Sequence, residues 1–141
     1  MHPTQIQPQQ DIESVINVIN ANFKEVADKK YATTIMEDWI APSFENSWVD
    51  YNVTTHNQCM YMKDSLGVVF IKGLAKNGSS ATATIFTLPV GYRPLERTIL
   101  TTFSNGAAAR LNIEPTGEVA GSTGASTAWL GIDGISFRAE Q

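Results

Sequence analysis

The hydrophobic pattern of the N-terminal part of the chain has a helical period. Apolar residues follow one another at intervals of four, three, four and three, at Ile12, Ile16, Ile19, Phe23 and Val26. This spacing is that of a heptad seam along one face of an α-helix. A helix of about 15 residues is marginal in water on its own, and β-branched residues at both seam positions favour assemblies of three or more helices. The pattern therefore predicts a short coiled-coil stem in a parallel homotrimer.

An alternative for the same stripe is a helix that folds back on its own domain. The stripe is narrow, and Asn17, Asn20 and Asn22 make the other faces polar, which favours the stem. The Gln- and Pro-rich start of the chain is expected to be a flexible lead. The sequence thus predicts three segments, which are the lead 1–10, a helical stem and transition 11–40, and a β head 41–141.

Beyond Trp48, short apolar runs alternate with polar turns, as is typical of β-structure. CMYMKDSLGVVFIKGLAKNG predicts two strands around a turn between Asp64 and Gly67, and ATATIFTL predicts a strand that ends at Pro89. RTILTTFSNG is followed by ARLNIEPTGEVAG, a hairpin in which Gly117 supplies the positive φ of the turn. TAWLGIDGISFRA is expected to close the sheet. Strands at this spacing indicate an antiparallel β-sandwich, a jelly-roll-like head or a small barrel.

The stretch IFTLPVGYRP ends its strand with a rigid turn, which we call the proline corner, residues 89–94. Pro89 removes a ladder donor, Gly91 permits the turn, and Pro94 forces the residue before it into an extended conformation. Tyr92 and Arg93 are then held on stiff backbone. We favour structural roles for both, with Tyr92 packing over the corner and Arg93 bonding loop carbonyls or a neighbouring subunit, over contact with a ligand.

Charge and composition exclude several classes of function. The net charge of −4 and the absence of a basic run disfavour nucleic acid and anionic membranes as partners. The single cysteine, Cys59, cannot form an intrachain disulfide. No apolar run approaches the roughly 20 residues of a spanning helix, and the start lacks the features of a signal peptide. We expect a soluble chain that inserts into no membrane and is not exported by the general secretory route.

Only 17% of the residues are charged, which suggests a second buried surface beyond a monomer's core. In the strand GVVFIKG, Val69 and Ile71 lie on one side, whereas Val68 and Phe70 lie on the other. One of these faces would fill the head. The other is available to neighbouring subunits.

A helical N-terminal piece, a tryptophan and then GVVFIKGLAKNG, IFTLPVGYRP, LNIEPTGEV and WLGIDGISF follow in that order. This arrangement resembles the C-terminal head domains of bacteriophage tail-fibre and receptor-binding proteins, especially those of tailed phages and prophages of Gram-positive bacteria. The resemblance covers roughly Trp48 to Phe137, and its most specific element is the occurrence of GVVFIKG together with TLPVGYRP.

The resemblance implies a parallel homotrimer in the virion, at the distal tail, as a fibre or baseplate tip. The N-terminus would attach to other tail or baseplate proteins. The β head would adsorb to a host cell-wall polysaccharide or teichoic acid, or to another component of the envelope. Two alternatives stay open, a structural domain that trimerises or caps a fibre or baseplate, and a tail enzyme that degrades polysaccharide.

Saccharide binding needs aromatic rings that stack on the apolar face of a sugar, and planar polar groups that bind its hydroxyls. Tyr51 and His56 lie in a polar stretch, WVDYNVTTHNQ, which favours their exposure. Each candidate also has a possible structural role. The two tryptophans would be core or interface residues, Asn105 would form part of a hairpin turn, and Asp133 would form part of a turn or bulge. The candidate ligand-binding residues are Trp48, Tyr51, His56, Arg93, Asn105, Arg110, Trp129 and Asp133.

The sequence predicts binding without catalysis, and neither a metal site nor a cofactor. Of the two histidines, His2 lies in the flexible lead and His56 stands alone, so the sequence offers no histidine pair for a metal. No motif marks a nucleophile. The carboxylates are scattered, and no spacing marks two of them as a glycosidase pair.

Overall fold

The computed structural model describes residues 12–24 and 36–140, which fall into two units divided between residues 35 and 36. The first unit contains helix α1, residues 12–24, whose residues are all exposed. The predicted helix is confirmed, and the trimeric stem stays a prediction. Val26, the lead 1–10 and residue 141 lie outside the described residues. No helix in the described part of the chain is long and apolar enough to cross a membrane.

The second unit, the β unit, consists of antiparallel strands that curl into a half-barrel. A seven-stranded sheet has the order β1-β4-β9-β6-β7-β8-β5, and a three-stranded sheet has the order β10-β3-β2. The predicted mainly β, antiparallel head is therefore confirmed. The strands are β1 Val49–Asp50, β2 Met60–Lys63, β3 Val68–Lys72, β4 Leu74–Lys76, β5 Thr84–Thr87, β6 Thr98–Ser104, β7 Ala107–Ile113, β8 Glu118–Gly121, β9 Leu130–Gly131 and β10 Ile135–Arg138.

Two pairs of strands pass from one sheet into the other at a shared bend. β3 continues into β4 through Gly73, and β9 continues towards β10 through Asp133. The Asp133 carboxylate accepts a hydrogen bond from the Gly73 amide at 2.8 Å. A Cβ at Gly73 would lie 2.4 Å from the Cα atom of Cys59, so no larger residue fits. The stretch TAWLGIDGISFRA thus contributes to both sheets, whereas the sequence predicted that it closes one.

The core lies between the two sheets and is anchored by Trp48, which is 1% exposed. Its indole nitrogen donates to the Ala83 carbonyl at 3.1 Å. A Cβ at Gly78 would lie 2.1 Å from the Trp48 ring, so the turn that contains Gly78 packs directly on the indole. Every buried polar side-chain atom of the described residues has a hydrogen-bond partner.

The proline corner forms the turn predicted for it. The Tyr92 amide donates to the Pro89 carbonyl at 3.1 Å, and Gly91 has a φ of 94°. The Arg93 side chain donates to the Leu88 carbonyl at 2.7 Å, which is the bond to a loop carbonyl favoured from the sequence.

A clamp around Glu37 joins the first residues of the β unit to the proline corner. One Glu37 carboxylate oxygen accepts from the Lys63 amide at 2.6 Å, and the other accepts from the Tyr92 hydroxyl at 2.8 Å. Lys63 also donates its ammonium to the Gly91 carbonyl at 2.8 Å. Bridges from Met36 to Asp64 and from Ile40 to Tyr61 add to these bonds, so residues 36–40 lie along the β2 edge.

Candidate functional site

Several of the predicted ligand-binding residues lie on the outward face of the seven-stranded sheet. Side chains alternate between the two faces along a strand, and in β4 and β9 Ala75 and Leu130 are a buried pair. One residue further along each strand, Lys76 and Trp129 therefore lie side by side on the outward face. Because Ser104 of β6 also pairs with Leu130, the turn that follows β6 begins next to Trp129, at Asn105.

Tyr51 and His56 extend this surface past the edge strand β1. The Tyr51 amide donates to the Leu74 carbonyl at 2.8 Å, which continues the pairing of β1 with β4. The Tyr51 and His56 rings meet edge to face, with their centres 5.1 Å apart. The Lys76 ammonium lies 5.2 Å from the centre of the Tyr51 ring, within the range of a cation–π contact. Two of the predicted residues are thus in direct contact.

In the next row of the face, Gly131 lies between two strands that carry apolar residues at the paired positions. Gly131 pairs with Leu74 on one side, and the register places Phe103 of β6 on its other side. Phe103 is 62% exposed although it lies in a central strand. We call the surface made by Tyr51, His56, Lys76, Phe103, Asn105 and Trp129 the aromatic surface.

Local backbone geometry and hydrogen bonds fix the turn after β6, which presents Asn105, and the segment before β9, which presents Trp129. Asn105 and Gly106 have φ values of 48° and 83°, as required by a two-residue hairpin turn of type I′. The buried Ser104 hydroxyl donates to the Trp129 carbonyl at 2.6 Å and accepts from the Ser126 amide at 2.8 Å. Sequence reasoning missed Ser104, because a serine in a strand has no pattern that distinguishes a buried position from an exposed one.

The charges beside the aromatic surface are cationic. Lys76 and Arg110 occupy outward positions of β4 and β7, and the outward positions of β1, β4, β9, β6 and β7 hold no carboxylate. Arg110 is held in place because its side chain donates to the Asn112 amide oxygen at 2.8 Å. The face can therefore stack on a ring through its aromatic groups and donate to oxygen atoms through its cations.

Three predicted residues lie elsewhere. Trp48 is in the core, where its ring offers no face to a ligand. Asp133 is at the bend between the sheets, and its carboxylate accepts from the Asn57 side chain at 2.9 Å as well as from Gly73. Arg93 follows β5, at the edge of the seven-stranded sheet opposite to β1. A contact of any of the eight residues with a ligand stays a prediction.

A second concave surface lies between the start of β6 and the end of β10. This groove is open to solvent and has a volume of about 280 Å³. Its floor and walls combine an aromatic ring, aliphatic groups and charges of both signs. We call it the rim groove, and it is lined by Pro94, Leu95, Glu96, Arg97, Thr98, Phe137, Arg138 and Glu140. None of these residues was among the eight candidate ligand-binding residues from the sequence.

Shifted pKa values mark structural groups outside both surfaces. Burial, with help from the nearby Asp50 carboxylate, raises the pKa of the Cys59 thiol far above its usual value, so the thiol is not a nucleophile at neutral pH. The hydrogen bond to Glu37, followed by burial, raises the pKa of Tyr92 to about 12. The described residues contain no cluster of three or more His, Cys, Asp or Glu side chains that could bind a metal ion.

No protein-family model matches the sequence, and a comparison with curated proteins finds no match. Among solved structures, the chain is similar to the receptor binding protein of Listeria phage PSA, with a TM-score of 0.70 at 14% sequence identity. The similarity covers 97% of this chain and 89% of that one. The chain therefore shares the fold of a phage receptor binding protein over nearly its whole length.

Proposed function

We propose that this protein is a receptor-binding protein of a bacteriophage tail, which attaches the virion to its host cell. The observation that carries the proposal is the fold similarity to the Listeria phage protein, which extends over 97% of the chain. The order of motifs from GVVFIKGLAKNG to WLGIDGISF supports the same function. Its place is the distal tail, at a fibre or baseplate tip, with the N-terminus attached to other tail proteins.

The ligand is a host cell-wall saccharide or teichoic acid, bound on the aromatic surface. Tyr51 and Trp129 are half-buried, so each ring is held by the protein and still has exposed area for a sugar. The Trp129 indole nitrogen and the Asn105 amide have no hydrogen-bond partner among the described residues, which leaves them available to hydroxyl groups. Arg93 is a further contact only if a neighbouring subunit brings the ligand to the proline corner.

The protein acts as a homotrimer held by α1. Ile12, Ile16, Ile19 and Phe23 are 44% to 71% exposed, and a helix of this length is marginal in water without partners. Three copies of the seam would bury one another's side chains. Weak binding by a single site then becomes firm adsorption, because several sites on one trimer and several trimers on one virion act together.

The test is binding of the purified, fluorescently labelled protein to whole cells and wall fractions of Gram-positive strains, Listeria included. We expect binding by a trimer to a restricted set of strains, and loss of binding after removal of wall polysaccharide or teichoic acid. Trp129→Ala should weaken binding roughly tenfold or more. The control is Trp39→Ala, since Trp39 is also a partly exposed tryptophan, and its ring centre lies 4.5 Å from the Lys72 ammonium, away from the aromatic surface.

Three outcomes would contradict the proposal. A folded trimer that binds no strain would favour the structural cap. Equal loss of binding in the Trp39 and Trp129 variants would rule out the aromatic surface as the ligand-binding site. Release of reducing sugar from wall polysaccharide would favour the enzyme, and the rim groove, where Glu96 and Glu140 both line the wall, would be the first place to look for its acid and base.

A further inference from the structure

The rim groove is a shallow surface that is open to solvent and has an apolar floor. Phe137 is half-buried and packs against the hydrophobic core, so its ring is held in place while part of it lines the groove. Pro94 is buried beneath the opposite wall. A shallow surface with a fixed aromatic ring and a few polar groups around it can bind one face of a sugar ring.

The walls of the groove are held by bonds that do not use three of its charged side chains. The Glu140 amide donates to the Arg93 carbonyl at 3.0 Å, and the Ala139 amide donates to the Gly67 carbonyl at 2.8 Å. Arg97 is paired with Glu114, with 2.8 Å between the guanidinium and the carboxylate. These bonds fix the backbone after β10 and the side chain of Arg97. They do not involve the side chains of Arg138, Glu96 and Glu140.

Three charged side chains of the groove have no side-chain partner among the described residues. They are Arg138, Glu96 and Glu140. The guanidinium offers several donors in one plane, and each carboxylate offers acceptors. A ligand that binds both the guanidinium and the carboxylates must present acceptors and donors close together, around a ring that can lie on Phe137. The adjacent hydroxyl groups of a pyranose meet this requirement.

We infer that the rim groove is a second saccharide site, which takes a neutral or amino-bearing sugar. The inference rests on the proposed function, because it assigns a second contact to the same receptor. With Arg97 paired, the remaining charges sum to −1, from one arginine and two glutamates. Such a site disfavours phosphate and carboxylate groups, whereas the aromatic surface, with Lys76 and Arg110, does not.

The two sites would let one head bind two units of the same polymer. The aromatic surface lies towards the β1 edge of the seven-stranded sheet, and the rim groove is built from the entry to β6 and the end of β10. A polymer that reaches both is bound more tightly than either unit alone, without any new contact.

The test uses the isotopically labelled full chain and records backbone amide shifts by NMR during titration with glucose, galactose, rhamnose, N-acetylglucosamine and glucosamine. Glucose 6-phosphate is the charged comparison. We expect at least one of the five sugars to shift the amides of Thr98, Phe137 and Arg138, and glucose 6-phosphate to leave them unchanged. Arg138→Ala should weaken that binding about tenfold, because a hydrogen bond to a charged group is lost.

Two further variants separate recognition of hydroxyl groups from charge alone. Arg138→Lys keeps the charge without the planar set of donors, so it should also weaken binding. Lys24→Ala removes an exposed cation from α1 and should change nothing in the groove. The inference is wrong if none of the five sugars shifts the groove, if glucose 6-phosphate binds there equally well, or if Arg138→Ala leaves the affinity unchanged.

Adsorption to cells distinguishes the failure of this inference from that of the proposed function. Loss of cell binding in Trp129→Ala together with a groove that no sugar shifts would overturn the second site alone. Sugar shifts in the groove of a protein that adsorbs to no strain would overturn the receptor-binding role and leave the groove as a sugar site.

Discussion

The β unit and helix α1 place their apolar residues in opposite environments. In the β unit, Trp48, Phe86 and Leu130 are at most 1% exposed, whereas in α1 even the seam residue Ile19 is 44% exposed. A folded core stabilises the β unit within one chain. The apolar residues of α1 have no such core among the described residues, and in the proposed trimer other copies of the helix would cover them. The difference predicts that folding of the β unit and the proposed assembly through α1 respond to different substitutions.

The largest expected effect is on assembly. Ile16→Asp together with Ile19→Asp places charges in the predicted seam, where burial of an unpaired charge is costly. We expect light scattering to report a monomer in place of a trimer, with the thermal unfolding of the β unit unchanged. Glu13→Ala and Lys24→Ala, exposed positions outside the seam, serve as the control. A trimer that survives the double substitution would show that the head alone drives assembly.

The converse change breaks the β unit. Trp48→Ala removes the buried anchor of the core, and we expect a loss of about 3–5 kcal/mol in the free energy of unfolding. Denaturant titration followed by circular dichroism measures the loss. Trp39→Ala, at a partly exposed position, should cost far less. Equal costs for the two substitutions would mean that the core does not rest on Trp48.

A smaller effect is expected at the bend between the sheets. Gly73→Ala places a Cβ against the Cys59 backbone at a φ of 133°. We expect the free energy of unfolding to fall by about 1–3 kcal/mol. Gly67→Ala is the matched control, because Gly67 also has a positive φ, of 85°, and nothing within 4 Å of an added Cβ. If chemical denaturation gives the same loss of unfolding free energy for both variants, the close approach of Gly73 to Cys59 does not restrict the residue at position 73.

The smallest effect concerns the Glu37 clamp and depends on pH. The folded pKa of Tyr92 is raised to about 12 from a usual value of 10.0, so the folded state favours the neutral phenol. This contribution is complete below pH 10 and is lost as the pH rises towards 12. Tyr92→Phe should cost about 1 kcal/mol at neutral pH and flatten this part of the stability profile, measured by thermal unfolding. An unchanged slope above pH 10 would contradict the role of Tyr92.

Local chemistry made much of the fold predictable. The turn between Asp64 and Gly67, the end of β5 before Pro89 and the positive φ of Gly117 depend on residues near one another in the chain. The seam of α1 could be read in the same way, as a helical period. What these signals do not contain is the exchange of strands between two sheets, because the bend arises where Gly73 meets Asp133, 60 residues further along the chain.

The candidate site was predictable by residue type and not by position. Trp48 and Trp129 look alike in the sequence, and only the register decides that one is buried and the other is on the outward face. Phe103 read as an ordinary strand residue, and Phe137 and Arg138 carry no local pattern at all. Their meeting with Glu96 in the rim groove depends on long-range packing, so no reading of short stretches could find it.

The Glu37 clamp also determines how mechanical load would enter the head. Met36 is the first residue of the β unit, so a pull from the N-terminal side reaches the β unit there. The bonds from Glu37 to Lys63 and Tyr92 pass this load to β2 and to the proline corner together, rather than to one strand end. A pull on the N-terminal side would therefore strain the edge of the three-stranded sheet first, whereas most of the aromatic surface is built on the other sheet.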